Sequence, residues 1–130
     1  MTPTQLVQSL FEAFGRGDIP FILERVSPDC RWVTPGRAIP YAGTYHGRDG
    51  AAQFFTRLAE SEEFLAFEPR EFIADGENVI ALGYEKCRVR PTGKEASTDW
   101  SMLFRVRNGL VVEYRSWFDT EAYANAYTTA

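Results

Sequence analysis

The alternation of apolar and polar residues between positions 96 and 118 constrains the fold more than any other feature of the chain. On either side of Arg107-Asn108-Gly109 the even positions carry a mostly apolar set: Ala96, Thr98, Trp100, Met102, Phe104 and Val106, then Leu110, Val112, Tyr114, Ser116 and Phe118. Side chains alternate across a strand with a period of two. The pattern therefore predicts two half-buried strands, joined as a hairpin, that present these residues to one interior.

The turn sets the register of this hairpin. A two-residue turn at Asn108-Gly109 would pair Arg107 with Leu110 and place the two apolar sets on opposite faces. A three-residue loop with Gly109 as a left-handed bulge pairs Val106 with Leu110 and places both sets on one face. We predict the second register, which gives these cross-strand pairs: Phe104 with Val112, Met102 with Tyr114, Trp100 with Ser116 and Thr98 with Phe118.

Length, composition and charge limit the class of protein. A chain of 130 residues predicts a single domain over residues 1–130, and an aromatic content of 15% favours a roomy, ring-lined interior. The net charge of -4 argues against nucleic acid as a partner, because phosphate binding needs a basic face. No apolar run approaches the roughly 18 residues of a membrane span, so we expect no membrane association.

The cysteines and the N-terminus indicate the compartment. Cys30 and Cys87 are far apart, without metal-ligand spacing, and His46 is the only histidine. We therefore expect reduced thiols, no metal and no cofactor. The N-terminus lacks a basic stretch followed by an apolar core, so no signal peptide is expected, and a cytoplasmic location follows.

Helix signals occupy the first half of the chain. Thr2-Pro3-Thr4-Gln5 has the pattern of a capping box, and the helix that follows should end at Gly15. Asp18 can cap a short second helix that ends at Ser27-Pro28, and Asp49 can cap a third.

Strand signals fill the remainder. One strand is predicted over residues 30–34, then a loop over 35–47, and later four strands over about 64–74, 78–90, 96–106 and 110–118. Helices followed by a four-strand meander predict an α+β fold, with helices on one side of an antiparallel sheet.

One acid is predicted to face inward. A turn at Thr92-Gly93 gives the preceding strand an inner row of Val79, Ala81, Gly83, Glu85, Cys87 and Val89. In that register Glu85 faces Trp100 and lies beside Ser116. Burial disfavours a charged carboxylate and raises its pKa, which suits a general acid or base. The alternative is a Glu85 turned outward at a bulge, or paired with Arg70.

Other polar residues have simpler interpretations. Asp119 precedes a short C-terminal helix and is expected to cap it rather than to act as a base. His46 is expected to be exposed in a loop, with a place on the pocket rim as the alternative. Cys87 is expected to pack rather than to react. Trp32 shares a face with Thr34 and either lines the cavity or belongs to the core.

Three segments resemble the nuclear-transport-factor-2-like superfamily, and within it the SnoaL-like and ketosteroid-isomerase-like proteins. They contain Gly17-Asp18-Ile19, His46-Gly47-Arg48 and Trp117-Phe118-Asp119. The resemblance implies helices on the concave face of a curved sheet, in a cone-shaped barrel that encloses one pocket. It also implies dimerisation through the outer face. This scaffold carries isomerases, cyclases, epoxide hydrolases and plain binding modules.

Departures from two family activities are informative. The three functional positions of ketosteroid isomerases fall on Leu10, Thr34 and Met102, so that reaction is not expected. One acid of limonene-epoxide hydrolase falls on Glu85. Its arginine falls on Gly83, its other acid on Ser116, and its water-binding residues near Trp32 and Thr34.

Three functions are compatible with these residues. In the first, a cofactor-independent isomerase, cyclase or hydrolase acts on a hydrophobic, ring-containing metabolite: Glu85 transfers the proton, and Ser116 and Thr34 donate hydrogen bonds. The walls of that site would be Trp32, Trp100, Met102, Tyr114 and Phe118. In the second, the pocket binds a hydrophobic ligand without catalysis. In the third, the protein is a scaffold that only dimerises.

The outward row of one strand predicts a homodimer. Its residues are Ile80, Leu82 and Tyr84, then Lys86, Arg88 and Arg90, with Leu103, Val111 and Trp117 beside them. An apolar centre with a charged border is typical of an interface. The alternative is that the helix after Asp119 covers this face.

Overall fold

Four helices and six strands make up the computed structural model, which describes residues 1–129. The helices are α1 (Pro3–Gly15), α2 (Ile19–Leu23), α3 (Gly47–Ser61) and α4 (Thr120–Ala126). The strands are β1 (Val26–Thr34), β2 (Gly43–His46), β3 (Glu62–Asp75), β4 (Asn78–Val89), β5 (Glu95–Arg107) and β6 (Leu110–Trp117). Within the described residues, no helix is long and apolar enough to cross a membrane.

The strands form one curved sheet in the order β2-β1-β6-β5-β4-β3. Strand β1 runs parallel to β6, and the other neighbours are antiparallel. The predicted α+β fold with helices on the concave face is confirmed. The sheet is mixed and open rather than a purely antiparallel closed barrel. The parallel pair is possible because α3 and four strands lie between β1 and β6 in the chain, which is long enough for a crossover.

Local side-chain bonds explain where the helices begin. The backbone N–H of Gln5 donates to the Thr2 hydroxyl, and the Gln5 side chain accepts from the Thr2 backbone, so the predicted capping box is confirmed. Asp18 caps α2 as predicted. Asp49 does not cap α3: the helix begins at Gly47 after His46. Asp49 lies in the first turn instead, where its charge favours the helix dipole.

The structure near β1 differs from the prediction in the bounds of two predicted elements and in one additional strand. The second helix ends at Leu23, and β1 begins at Val26, four residues before the predicted start. A bulge between Val26 and Arg31 interrupts its pairing with β6. The predicted loop contains β2, a four-residue strand too short to show a period.

The hairpin register differs from the prediction by two residues. Arg107 pairs with Leu110 across a two-residue turn, because Asn108 (φ 55°) and Gly109 (φ 74°) both adopt the left-handed conformation that such a turn requires. A bulge at Val112 then restores the parity. The predicted inner face is correct for Trp100, Phe104, Tyr114 and Ser116, which are buried, and wrong for Leu110, which pairs with Arg107 of the outer row. The predicted pairs are wrong: Phe104 lies opposite Tyr114 and Met102 opposite Ser116. The same bulge turns Val111 inward, so its predicted place on the outer face is wrong.

Strands β4 and β5 show the same two-residue shift. The backbone N–H of Val89 donates to the carbonyl of Lys94, so the loop has four residues. Glu85 lies opposite Thr98, and Trp100 lies opposite Gly83. Because the shift is even, every inner side chain stays on the predicted face.

Gly83 makes room for Trp100, which supplies a test of this packing. A Cβ at Gly83 would lie 2.3 Å from Cζ2 of Trp100 and 2.5 Å from the Glu68 carbonyl oxygen. We expect Gly83→Ala to lower the free energy of unfolding by about 1–3 kcal/mol, the usual cost of overpacking. Urea denaturation measures this change. The control is Gly15→Ala, since no atom lies within 4 Å of a Cβ there. Equal stability of the two variants would contradict the packing described here.

Candidate functional site

A cavity lies between the helices and the concave face of the sheet. About 90 Å³ of it is open to the centres of water molecules, well above the roughly 10–15 Å³ that one water requires. Its wall contains Glu85 and all seven predicted contact residues: Trp32, Thr34, Trp100, Met102, Tyr114, Ser116 and Phe118. Strand parity thus brings together side chains as far apart in the sequence as Trp32 and Phe118.

The remaining wall comes mainly from α1, α3 and β3. The residues that the sequence analysis did not assign to the site include Phe11, Phe14, Phe54, Phe55, Phe64 and Phe67. Helical spacing can indicate which helix residues are buried, but it does not show which buried residues border an open space.

Stacked rings stiffen the wall. Trp32 stacks on Tyr114, with ring centroids 4.0 Å apart and planes at 23°. Trp100 packs with two phenylalanines, 5.6 Å from Phe11 and 5.3 Å from Phe67 and nearly parallel to both, and these two rings are themselves 6.0 Å apart. These contacts leave flat apolar surfaces, which suit a planar, ring-containing ligand.

Polar atoms without partners lie among these rings. Oγ1 of Thr34 and Nε1 of both Trp32 and Trp100 are buried and form no hydrogen bond within the described residues. A buried polar atom left unbonded costs about 1–3 kcal/mol. The three groups therefore keep unused hydrogen-bonding capacity in the wall of the cavity.

Glu85 is the carboxyl of the cavity wall, and it is only 9% exposed. Its Oε2 accepts a hydrogen bond from the Tyr123 hydroxyl at 2.7 Å and one from Cys87 Sγ at 3.2 Å, and neither bond uses Oε1. Arg70 pairs instead with Glu68 and Asp99. The alternative of an outward Glu85 paired with Arg70 is therefore wrong.

Burial raises the pKa of Glu85, because the interior disfavours its charge. The bonds from Tyr123 and Cys87 lower the pKa, and the nearby Glu62 raises it. The net effect is upward. A carboxyl of this kind keeps its proton to a higher pH than an exposed glutamate, as acid–base chemistry near neutrality requires.

Glu62 is a second buried carboxyl that the sequence analysis missed. It is the first residue of β3, is 2% exposed, and accepts a hydrogen bond from the Tyr127 hydroxyl at 2.6 Å. Two charged carboxylates as close as Glu62 and Glu85, whose oxygens lie within 4.8 Å, repel by roughly 3 kcal/mol at an effective dielectric constant of about 20. Parity could have revealed Glu62, because Phe64 two positions later faces inward.

The same cluster has the donor atoms of a metal site. Ligand atoms of Glu62, Glu85 and Cys87 all lie within 4.8 Å of one another. Burial raises the pKa of each of these groups. A divalent cation needs deprotonated ligands, and groups with raised pKa values keep their protons to a higher pH. The cluster therefore favours binding protons over binding a cation.

Two other candidates lie away from this chemistry. His46 is exposed at the end of β2, beside a shallow depression that also contains Tyr45 and Arg57. Asp119 accepts a hydrogen bond from the backbone N–H of Ala122 at 3.0 Å, so its predicted role as a helix cap is confirmed.

Residues 7–114, most of the chain, match the family described as the SnoaL-like domain. The chain belongs to the SnoaL-like family. The resemblance to SnoaL-like proteins of the nuclear-transport-factor-2-like superfamily is thereby confirmed. No curated protein is similar enough to this SnoaL-like chain to count as a relative.

Solved structures support the family assignment. An NTF2-like protein from Burkholderia xenovorans LB400 is 35% identical, over 97% of this chain and 95% of its own, with a TM-score of 0.89. An NTF2-like protein of unknown function from Burkholderia pseudomallei K96243 is 32% identical over 97% of both chains, with a TM-score of 0.87. TerC, crystallised with polyporic acid, is 25% identical over 95% of this chain and 96% of its own, with a TM-score of 0.80.

The raised pKa of Glu85 predicts how stability depends on pH. A raised folded-state pKa contributes stability that is complete below the unfolded value, about 4.3, and is lost as the pH rises through the folded value. Glutamine imitates the protonated form at every pH. We therefore expect Glu85→Gln to gain stability over the natural protein as the pH rises from 5 to 8, by about 1 kcal/mol or more.

Thermal unfolding across this pH range measures the effect. Glu71→Gln is the control, since Glu71 is exposed on the same sheet. A stability difference for Glu85→Gln that does not change with pH would contradict the raised pKa.

Proposed function

We propose that this SnoaL-like protein is a cofactor-independent enzyme that moves a proton on a hydrophobic, ring-containing metabolite, with Glu85 as the acid and base. The observation that carries the proposal is the position of this carboxyl. Among the described residues that line the cavity, Glu85 has the only carboxyl group, and the rest of the wall consists of aromatic, aliphatic, thioether and hydroxyl groups. A protonatable group in such surroundings is typical of acid–base sites.

The hydrogen bonds around Glu85 suggest how it would work. Tyr123 and Cys87 both bond to Oε2, which fixes the carboxyl and leaves Oε1 for a ligand. Glu85 would give its proton to one atom of the ligand and recover a proton from another, as isomerisation or cyclisation requires. Thr34 and Ser116 would bind a ligand oxygen and stabilise charge that develops there.

The ring-lined wall supports the class of ligand. Trp32 and Trp100 offer both a flat ring face and an indole N–H. The structurally similar TerC crystallised with polyporic acid, which makes that compound a reasonable first probe for this protein.

A non-catalytic binding module is the second candidate. The positions that carry functional groups in ketosteroid isomerases are Leu10, Thr34 and Met102, so two of the three have no group to hold an oxyanion or a proton. The same cavity would then carry or sense a ligand without changing it.

Ligand capture followed by turnover separates the two functions. Native mass spectrometry of the purified protein should reveal a co-purifying compound, and incubating that compound or polyporic acid with fresh protein should yield a product. We expect Glu85→Gln to lower turnover by about 100-fold or more while it keeps binding, since proton transfer contributes roughly that much. Glu71→Gln should retain turnover.

Two outcomes would contradict the enzymatic proposal. Binding without turnover by the natural protein would favour the binding module, and full turnover by Glu85→Gln would remove Glu85 as proton carrier. Ser116→Phe should abolish ligand binding by filling the cavity, whereas Ser97→Phe, on the exposed face of β5, should not.

We also propose that the outer face of the sheet forms a homodimer. Ile80 and Trp117 are 38% and 46% exposed there, with Leu82 and Leu103 half-buried between them. Helix α4 does not cover this face, because its Tyr123 bonds to Glu85 on the inner side. The buried, reduced cysteines Cys30 and Cys87 support a cytoplasmic location for the assembly.

Sedimentation at micromolar concentration tests the dimer. We expect a dimer that Leu82→Asp dissociates, because a charge would lose its hydration at the centre of the apolar patch. Gln53→Asp, on the exposed side of α3, should remain dimeric. A natural protein that sediments as a monomer would disprove the proposal.

A further inference from the structure

Glu62 and Glu85 form a buried carboxyl pair at one end of the cavity. Glu62 lies behind the wall at the start of β3, and Glu85 forms part of the wall on β4. Their oxygens approach within 4.8 Å, together with Cys87 Sγ. The two side chains are 2% and 9% exposed, so water screens neither of them well.

The groups that surround the pair are neutral. Tyr41 approaches Glu62 from the loop before β2, Cys87 lies between the two acids on β4, and Tyr123 and Tyr127 reach them from α4 and its C-terminal end. No lysine or arginine in residues 1–129 forms a hydrogen bond or a salt bridge with either acid. Two negative charges here would therefore have only dipoles to stabilise them.

We propose that Glu62 and Glu85 hold a single proton between them near neutral pH, with the proton on Glu85 and the charge on Glu62. In this arrangement Glu62 is a positioning residue: it touches no ligand, and it keeps Glu85 protonated. The shared proton does not depend on the proposed function; only its use in catalysis by Glu85 rests on that function.

The neighbours decide which acid carries the charge. Hydrogen bonding lowers the pKa of Glu62 through three side chains, those of Tyr127, Tyr41 and Cys87. It lowers the pKa of Glu85 through only two, those of Tyr123 and Cys87. The charge of Glu62 in turn raises the pKa of Glu85. Glu62 therefore ionises first, and the wall of the cavity keeps a carboxylic acid able to donate.

The pair carries the same number of protons before and after one reaction cycle. Glu85 gives its proton to one atom of the ligand, and both acids are then briefly charged. The ligand releases a proton from another atom to Glu85, which restores the single shared proton. Tyr127 is half-buried and its hydroxyl bonds to Glu62, so exchange with water between cycles would pass through these two groups.

Carbon NMR of the glutamate carboxyls tests the pair without any ligand. In ¹³C-glutamate-labelled protein, the signals that disappear in Glu62→Gln and in Glu85→Gln identify the two acids. We expect both signals to respond in two coupled steps, with the upper step above the ordinary glutamate value of about 4.3.

In Glu62→Gln, Glu85 should titrate in a single step. The midpoint of that step should lie at least one pH unit below the upper midpoint of the natural protein, which corresponds to a tenfold loss of proton affinity. Glu63→Gln is the matched control, since Glu63 is the next residue and is exposed. Tyr127→Phe offers a milder change: loss of its bond to Glu62 should raise the lower step.

Independent single-step titrations in the natural protein, or an unmoved Glu85 in Glu62→Gln, would overturn the shared proton. If Glu62→Gln does not fold, Tyr127→Phe provides the test: an unchanged midpoint of the lower titration step in that variant would also overturn the shared proton. These results do not depend on turnover. A coupled pair in a protein whose Glu85→Gln variant keeps full turnover would leave the pair intact and remove the proposed catalysis.

Discussion

The cluster that Trp100 forms with Phe11 and Phe67 is the contact on which the cavity depends. It joins α1 to the middle of the sheet and to β3 through one side chain, and Gly83 provides the space that the indole ring needs. A helix held at this distance from the sheet cannot pack fully against the inner residues of β6. An open space lined by rings remains beside the stack, and Glu85 lies on its wall.

That space sets the electrostatics of the site. Two carboxyls within 4.8 Å of each other, away from water and from any arginine or lysine bond in the described residues, oppose folding while both are charged. Tyrosine hydroxyls at 2.6 and 2.7 Å reduce this cost without neutralising it. A protein that only needed stability would be expected to replace such a pair with apolar side chains, so its presence here supports a role in proton transfer.

The sequence allowed us to predict which face of the sheet most strand residues occupy, but not which residues pair across neighbouring strands. Parity alone put Glu85 and Trp100 in one interior, because a period of two is insensitive to an even shift. The pairs depended on turn chemistry: Asn108 tolerates a left-handed conformation, and the bulge at Val112 has no signature in hydrophobicity. Strand β2 was too short to show a period.

The candidate site was predictable to a similar extent. All the wall residues proposed from the hairpin and β1 border the cavity, since adjacent strands hold them there regardless of exact register. Glu62 was missed because β3 begins two residues earlier than its apolar pattern. The roles of Tyr123 and Tyr127 could not be inferred, because they depend on where the short α4 returns to the sheet.

A crystal structure of the protein with polyporic acid, or with the compound that co-purifies with it, tests the central claim most directly. The account predicts a ligand that contacts the rings of Trp32 or Trp100 and places a polar atom within about 3.2 Å of the Glu85 carboxyl. A ligand bound in the cavity with no polar atom near Glu85, or bound elsewhere on the protein, would contradict it.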